Sequence, residues 1–319
     1  MSRYGIGIDT SCYTTSFAII DLKTLEVVEN FQQLLKVKQG EKGLRQSDAF
    51  YQHVQHLGAY FENCSRAYFD QVAYVAVSTK PRNRKESYMP VFTAGLNFAK
   101  GIAALLDVPL IETDHQSGHL AAALYNQRTS TPKSFLGLHL SGGTTEILDC
   151  KLQASESHQC EFDCTIIGGS LDISAGQLID RIGVALDFSF PCGKEMEQQL
   201  IELSDVKINK GEFPKISKKP YFNLSGGENK GLKLIESGVA TQVVIKGVFD
   251  YISRQLIAGI NALESLDDYE AIVLSGGVAA NDYICNCIAA SVELTVIRGE
   301  KRFCTDNALG VAYVPIMKS

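Results

Sequence analysis

One device occurs twice in this chain: an apolar strand, a turn rich in glycine, serine and threonine, and a second strand running back. In the first half Tyr4-Gly5-Ile6-Gly7-Ile8-Asp9 passes through Thr10-Ser11-Cys12-Tyr13-Thr14-Thr15 into Ser16-Phe17-Ala18-Ile19-Ile20-Asp21. In the second, Phe135 to Leu140 passes through Ser141-Gly142-Gly143-Thr144-Thr145 into Glu146-Ile147-Leu148-Asp149-Cys150. A recurrence this widely spaced is a duplicated architecture rather than a short-period solenoid. It implies an α/β fold of two lobes facing a cleft, which 319 residues are enough to build.

The pattern between these devices reads as alternating helices and strands. Helices are expected at about Asp48 to Cys64, Phe92 to Leu106, His115 to Tyr125 and Val239 to Leu266. Strands are expected at Val72 to Ser78, Pro109 to Glu112 and Ala271 to Leu274, with Ser275-Gly276-Gly277-Val278-Ala279-Ala280-Asn281 opening another helix. Ser204 to Lys233 is polar and rich in Lys and Gly, which reads as a long loop or insertion over the cleft. Lobe one is expected over 1–126, with a C-terminal helix at about 300–319 returning to it, and lobe two over 127–299.

Composition narrows the class. Charged residues at 21% and hydrophobic residues at 45% are ordinary for a globular protein. No apolar stretch is long enough for a membrane span and no signal peptide is readable, so a cytoplasmic protein is expected. The nine cysteines form no CxxC pair, which argues against a zinc ribbon or a disulfide scaffold. The net charge of −6 means that any nucleic-acid contact needs a local basic patch or a partner.

Three features could carry chemistry. His115 and His119 in Thr113-Asp114-His115-Gln116-Ser117-Gly118-His119 share one helix face at i, i+4, so both imidazoles can point at one metal ion. Alone, such a pair is more often a packed or solvated face. The turns at Ser141 to Thr145 and Ser275 to Gly277 let backbone N–H groups approach phosphate oxygens, the second with a helix N-terminus behind it. A late Cys304-Thr305-Asp306-Asn307-Ala308 adds a carboxylate.

In order and spacing these segments resemble one family of the actin/Hsp70/sugar-kinase superfamily, the TsaD threonylcarbamoyl-adenosine synthases once called glycoproteases. Gly7-Ile8-Asp9-Thr10-Ser11-Cys12 is similar to the family's GIETSC, and His115-Gln116-Ser117-Gly118-His119 to its HxEGH. Leu140 to Thr145 is similar to VSGGHT, and Leu171 to Arg181 to DDAAGEAFDK. Phe190-Pro191-Cys192-Gly193 resembles YPGG, Phe222 to Gly226 FSFSG, Ser275 to Asn281 SGGVAAN and Cys304 to Ala308 CTDNA. The resemblance covers nearly the whole chain.

It implies a two-lobed nucleotide-binding fold and a set of roles. His115, His119 and Asp306 would ligate one divalent metal, iron or zinc. Thr10, His139, Leu140, Ser141, Gly142 and Gly143 would lie at the nucleotide, the last five around its phosphates. Asp180 would bond the ribose, Gly193 would let the backbone approach the nucleoside, and Asn281 would bind near the sugar or base. The ligand would be an adenine nucleotide or threonylcarbamoyl-AMP, and the reaction would transfer its threonylcarbamoyl group to the exocyclic amine of the tRNA adenosine next to the anticodon. Partners would be tRNA and a TsaB-like actin-fold protein or a TsaE-like ATPase.

The chain also departs from the family. Tyr13-Thr14 stands where the family has Asp-Glu, and Ser117 where it has Glu. The basic stretch Lys80-Pro81-Arg82-Asn83-Arg84-Lys85 replaces a GPG loop. No residue is thereby assigned as the catalytic acid or base, and a non-catalytic paralogue that pairs with a TsaD- or TsaB-like protein is the alternative. A metalloprotease needs Glu directly after the first His, and Gln116 occupies that place. His158-Gln159-Cys160 with Cys164 fits no standard metal spacing, and Cys285 and Cys287 read as helix packing residues.

Overall fold

The computed structural model describes residues 2–11, 13–37, 44–84, 86–127, 131–154, 160–201 and 213–317. The chain divides into two compact units. One comprises Met1–Thr131, Leu152–Asp163 and Phe303–Ser319, the other Pro132–Lys151 and Cys164–Arg302.

In the first unit the strands are β1 (Tyr4–Thr10), β2 (Thr14–Asp21) and β3 (Val27–Leu34), followed by helix α1 (Gln46–Asn63) and β4 (Val72–Ser78). Helix α2 (Phe92–Leu106), β5 (Leu110–Thr113) and α3 (His115–Leu124) follow. The sheet order is β3-β2-β1-β4-β5. Strand β1 pairs antiparallel with β2 and parallel with β4, so it lies mid-sheet, and all seven of its residues are buried. A core of Ile6, Ile8, Phe17, Ile19, Leu57, Val75 and Val77 packs on it, each fully buried aliphatic or aromatic side chain worth roughly 1.5–3 kcal/mol.

The second unit holds β6 (Ser134–Leu140) and most of β7 (Thr145–Ala154) and β8 (Cys160–Ser170), then α4 (Ala175–Ala185), α5 (Gly193–Ile201) and β9 (Tyr221–Phe222). Helices α6 (Ser225–Glu236) and α7 (Thr241–Ile260), strand β10 (Ala271–Ser275), helix α8 (Asp282–Ala289) and β11 (Val296–Arg298) complete it. Helix α9 (Leu309–Tyr313) belongs to the first unit. The second sheet runs β11-β10-β6-β7-β8-β9, with β6 antiparallel to β7 and parallel to β10. Stripped of β9, the order β8-β7-β6-β10-β11 repeats β3-β2-β1-β4-β5. The duplicated strand device is therefore real at the level of topology.

Three expectations change. The segment from 204 to 233 is not one long loop: β9 and the first turns of α6 occupy its second half, and 202–212 lie outside the described residues. Glycines 226, 227 and 231 made α6 look like loop, yet a Cβ at Gly227 would strike Tyr251 and one at Gly231 would strike Ile182, so two of them serve close packing. Helix α7 stops at Asn261 rather than Leu266, where Leu263 N–H turns back to the Ile260 carbonyl at 3.1 Å. The C-terminal stretch is the short α9 between 3-10 turns at Lys301–Phe303 and Val314–Ile316. His158 and Gln159 lie outside the described residues. No described helix is long and apolar enough to cross a membrane.

Candidate functional site

The His pair is fixed by the first turn of α3. Asp114 caps the helix: its carboxylate accepts from the Ser117 N–H at 3.0 Å and from the Ser117 hydroxyl. The next two N–H groups, on His115 and Gln116, donate to the carbonyls of Lys80 at 2.9 Å and Pro81 at 3.0 Å. The basic loop thus closes the helix start, and Ser117 turns its hydroxyl onto the capping carboxylate.

The third group arrives through a backbone contact. A Cβ on Gly310 in α9 would overlap the Gly118 carbonyl of α3, and one on Gly7 in β1 would overlap the Ala308 carbonyl. Glycine at all three positions lets α9 lie against α3 and β1. Buried Asn307 ties the turn before it. Its Nδ2 donates to the carbonyls of Phe303 and Thr305, both at 2.8 Å, and its Oδ1 accepts from Gly310 N–H at 3.3 Å. Asp306 is carried on that turn.

The result is a triangle of ligand atoms within one unit. His115 Nε2 and His119 Nε2 are 3.1 Å apart, His119 Nε2 and Asp306 Oδ1 3.2 Å, and His115 Nε2 and Asp306 Oδ1 3.6 Å. Ligands at about 2.0–2.1 Å from one tetrahedral ion are about 3.3 Å from one another, so two nitrogens and one oxygen suit a divalent metal both in spacing and in donor type.

Behind the triangle stands Asp9, wholly buried at the end of β1. It faces His115 Nδ1 at 3.1 and 3.3 Å and accepts from the Ser78 hydroxyl of β4. A carboxylate on Nδ1 keeps the Nδ1–H tautomer and leaves Nε2 as the ligand atom. The electrostatics agree. Burial opposes charge on His115, but Asp9 and then Asp306 outweigh it and raise its pKa to about 9. Burial likewise pushes the Asp9 carboxyl up, and His115 and Ser78 together hold it below its ordinary value. Burial raises Asp114 despite its bonds from Ser117.

The remaining expected residues divide between the units. Thr10 is in the first, where its buried hydroxyl accepts from Gly95 N–H at 3.0 Å and reaches the Val91 carbonyl at 3.4 Å, so it anchors the start of α2. The others are in the second. Ser141 Oγ accepts from the N–H groups of Gly143 at 3.2 Å and Thr144 at 3.0 Å, which preforms the turn. Nothing lies within 4 Å of a Cβ placed on Gly142 or Gly143, so their faces are open. Leu140 is buried, and its carbonyl packs against Gly276, whose φ of +88° and crowding require glycine.

His139 Nδ1 lies 3.1 Å from Ser275 Oγ across β6 and β10. Asp180 accepts from Cys192 N–H at 2.8 Å, and burial raises its pKa. A Cβ on Gly193 would meet only Ile179, at 3.7 Å. Asn281 caps α8 through Oδ1, while its buried Nδ2 has no partner. Among residues the sequence did not assign, Asp9, Ser78, Asn307 and Gly310 shape the metal triangle. Asp9 stood in a recognised motif, but nothing in its spacing pointed to His115.

Residues 42–313 match the TsaD family, described as tRNA N6-adenosine threonylcarbamoyltransferase. The protein of that description from Thermosipho africanus (strain TCF52B) is 28% identical over 322 residues, covering 96% of this chain and 92% of its own. That from Streptococcus sanguinis (strain SK36) is 27% identical, covering 98% and 92%. By structure, the chain resembles component A of the (R)-2-hydroxyglutaryl-CoA dehydratase of Acidaminococcus fermentans, with TM-score 0.57, 15% identity and coverage of 98% and 97%. It also resembles a ROK family glucokinase from Streptomyces griseus, with TM-score 0.53, 13% identity and coverage of 97% and 98%. The fold is therefore the α/β fold of two units that these structures share, and the chain belongs to the TsaD family.

Proposed function

We propose that the chain is a metal-assisted transferase that moves the threonylcarbamoyl group of threonylcarbamoyl-AMP to the exocyclic amine of the tRNA adenosine next to the anticodon. The observation that carries this reading is the triangle of His115, His119 and Asp306, assembled from distant sequence with Asp9 orienting one member. Those three residues would hold the metal, iron or zinc, which supplies a Lewis acid for the carbamoyl carbonyl. Asp9 keeps the Nδ1 proton of His115 in place. The open faces of Gly142 and Gly143 suit phosphate oxygens, and the free Nδ2 of Asn281 suits an acceptor on the sugar or base. Asp180 has a second oxygen for a ribose hydroxyl. The glucokinase similar in fold is described in complex with glucose and AMPPNP, in keeping with a nucleotide here. The partners are tRNA and a TsaB-like or TsaE-like protein.

A second reading, a non-catalytic subunit that pairs with a TsaD- or TsaB-like protein, draws on the start of α3. Ser117 replaces the family's acid and points away onto Asp114, and the Lys80 and Pro81 carbonyls cover the helix end. Expression in cells depleted of their own TsaD, with threonylcarbamoyladenosine in total tRNA quantified by mass spectrometry, separates the two. Restoration that His115→Ala abolishes is the transferase outcome. No restoration by soluble, nucleotide-binding protein is the outcome of the second reading.

A further inference from the structure

Between β4 and α2 the chain makes a loop that is braced at both ends. At its start, the Lys80 and Pro81 carbonyls accept from the first N–H groups of α3. At its end, Met89 packs with the buried side chains of Leu35, Ala49, Val91 and Phe92. In between, the backbone turns on itself. Arg84 N–H donates to the Arg82 carbonyl at 2.8 Å, Ser87 N–H to the Arg84 carbonyl at 3.1 Å, and Arg82 N–H to the Ser87 hydroxyl at 3.0 Å. The loop is thus tied to the helix that carries His115 and His119.

This frame presents positive charge and one aromatic ring. Among the described residues of 80–90, Lys80, Arg82 and Arg84 are cations and Glu86 is the one acid. The chain as a whole carries a net charge of −6, so the basic loop stands apart from the rest of the surface. Arg84 is exposed, and Lys80 and Arg82 are half-buried. Lys80 Nζ donates to Asn83 Oδ1 at 3.0 Å. Tyr88, four residues after Arg84, is 67% exposed. Cations suit the phosphates of a nucleic-acid backbone, and an aromatic ring left in water suits the face of an unpaired base. A double helix would engage the charges but has no free base for the ring, whereas a single-stranded RNA loop engages both.

We propose that Lys80, Arg82, Arg84 and Tyr88 dock the anticodon loop of the acceptor RNA, the three cations on its phosphates and the tyrosine ring stacked on an unpaired base. The proposal rests on the transferase reading and adds where the RNA sits. An adenosine next to the anticodon lies in a single-stranded loop of this kind. Docking at these residues puts that loop at the start of the helix that carries His115, because the Lys80 carbonyl is bonded to His115 N–H itself at 2.9 Å. The basic stretch stands where the family has GPG, so this contact would belong to this chain rather than to its relatives.

The test uses the full chain and a fluorescently labelled anticodon stem-loop with an unmodified acceptor adenosine, read by anisotropy over a range of salt. Three phosphate contacts at about 0.7 each give a slope of log K against log salt of about −2. The triple variant Lys80→Gln, Arg82→Gln, Arg84→Gln should lose most of that slope and bind at least about tenfold more weakly at low salt. Tyr88→Ala should weaken the stem-loop roughly 5- to 150-fold and leave a blunt RNA duplex unchanged, whereas Tyr88→Phe should bind as the wild type does. Zinc affinity, by competition with a chromogenic chelator, should be the same in every variant, which shows that the first unit is intact. Stem-loop binding that ignores both the triple variant and Tyr88→Ala overturns the docking, as does a wild-type chain that binds no RNA. Polyglutamate that binds through the three cations and is not displaced by the stem-loop overturns it too, and gives the loop to an acidic protein partner. Loop-dependent RNA binding without any threonylcarbamoyladenosine formed keeps the docking and sinks the transferase reading. Transfer with an unchanged KM for tRNA in the triple variant does the reverse.

Discussion

Replacing Asp9 by Asn would preserve the shape of the β1 end but remove the charge that faces His115 Nδ1. Second partners of this kind are worth roughly 10–100-fold in metal affinity, and competition with a chromogenic chelator should show a loss of that size for Asp9→Asn. His53 gives the chain an acid sensitivity of its own. Its folded pKa of about 4 lies below the unfolded value of about 6.5, so the unfolded chain takes up the proton first. The stability it permits is complete above pH 6.5 and is lost as pH falls toward 4. By linkage this is about 2 kcal/mol at pH 5 relative to pH 7, and urea unfolding at the two pH values should show it, with His53→Gln flattening the difference. At this scale the sequence was partly transparent. The spacing of His115 and His119 put both on one face, but Asp306 came only through the resemblance. Asp9 stayed hidden because every residue of β1 is buried, so no alternation marks the one that turns toward His115.

Elements meet the site through glycine contacts that leave no periodic trace. Gly310→Ala would drive a methyl into the Gly118 carbonyl, with no flexible side chain to yield. A loss of about 3 kcal/mol or more is expected, read by thermal unfolding, and metal binding should fail with it because Asp306 moves with α9. Gly142→Ala makes the opposite case. Nothing lies within 4 Å of its new methyl, so the melting temperature should stay within a degree or so while calorimetry finds adenine nucleotide binding at least about tenfold weaker. Among the elements, β4 and α2 were readable to the residue from their apolar patterns. Strand β3 was not, because its exposed edge carries Glu29, Asn30, Gln32 and Gln33 and shows no apolar face. Helix α6 was lost to its glycines, which weaken helix propensity and pack against Tyr251 and Ile182.

Over the whole molecule, the triangle of His115, His119 and Asp306 belongs to one unit, and the turn at Ser141 to Thr145 with Asp180, Gly193 and Asn281 to the other. A metal ion should therefore protect backbone amides of α3, α9 and β1 from hydrogen exchange, and a nucleotide those of β6 and α4. Each effect reaches about 2.7 kcal/mol at a hundredfold excess over Kd. Metal protection confined to β6 and α4 would contradict the placement of the ion. The duplicated strand order was legible at this scale, since each copy of the turn sits between its own strands; the path by which the chain returns to the first unit was not resolved into its short helix. That return has a consequence in time. His119 and Asp306 are separated by 187 residues, and a ribosome adding roughly 5–20 residues per second needs roughly 10–40 seconds to travel between them. During synthesis the histidine helix waits without its carboxylate, so a nascent chain can hold an ion only loosely. Stable metallation of this triangle would be a late event, possible only after the entire second unit has been made.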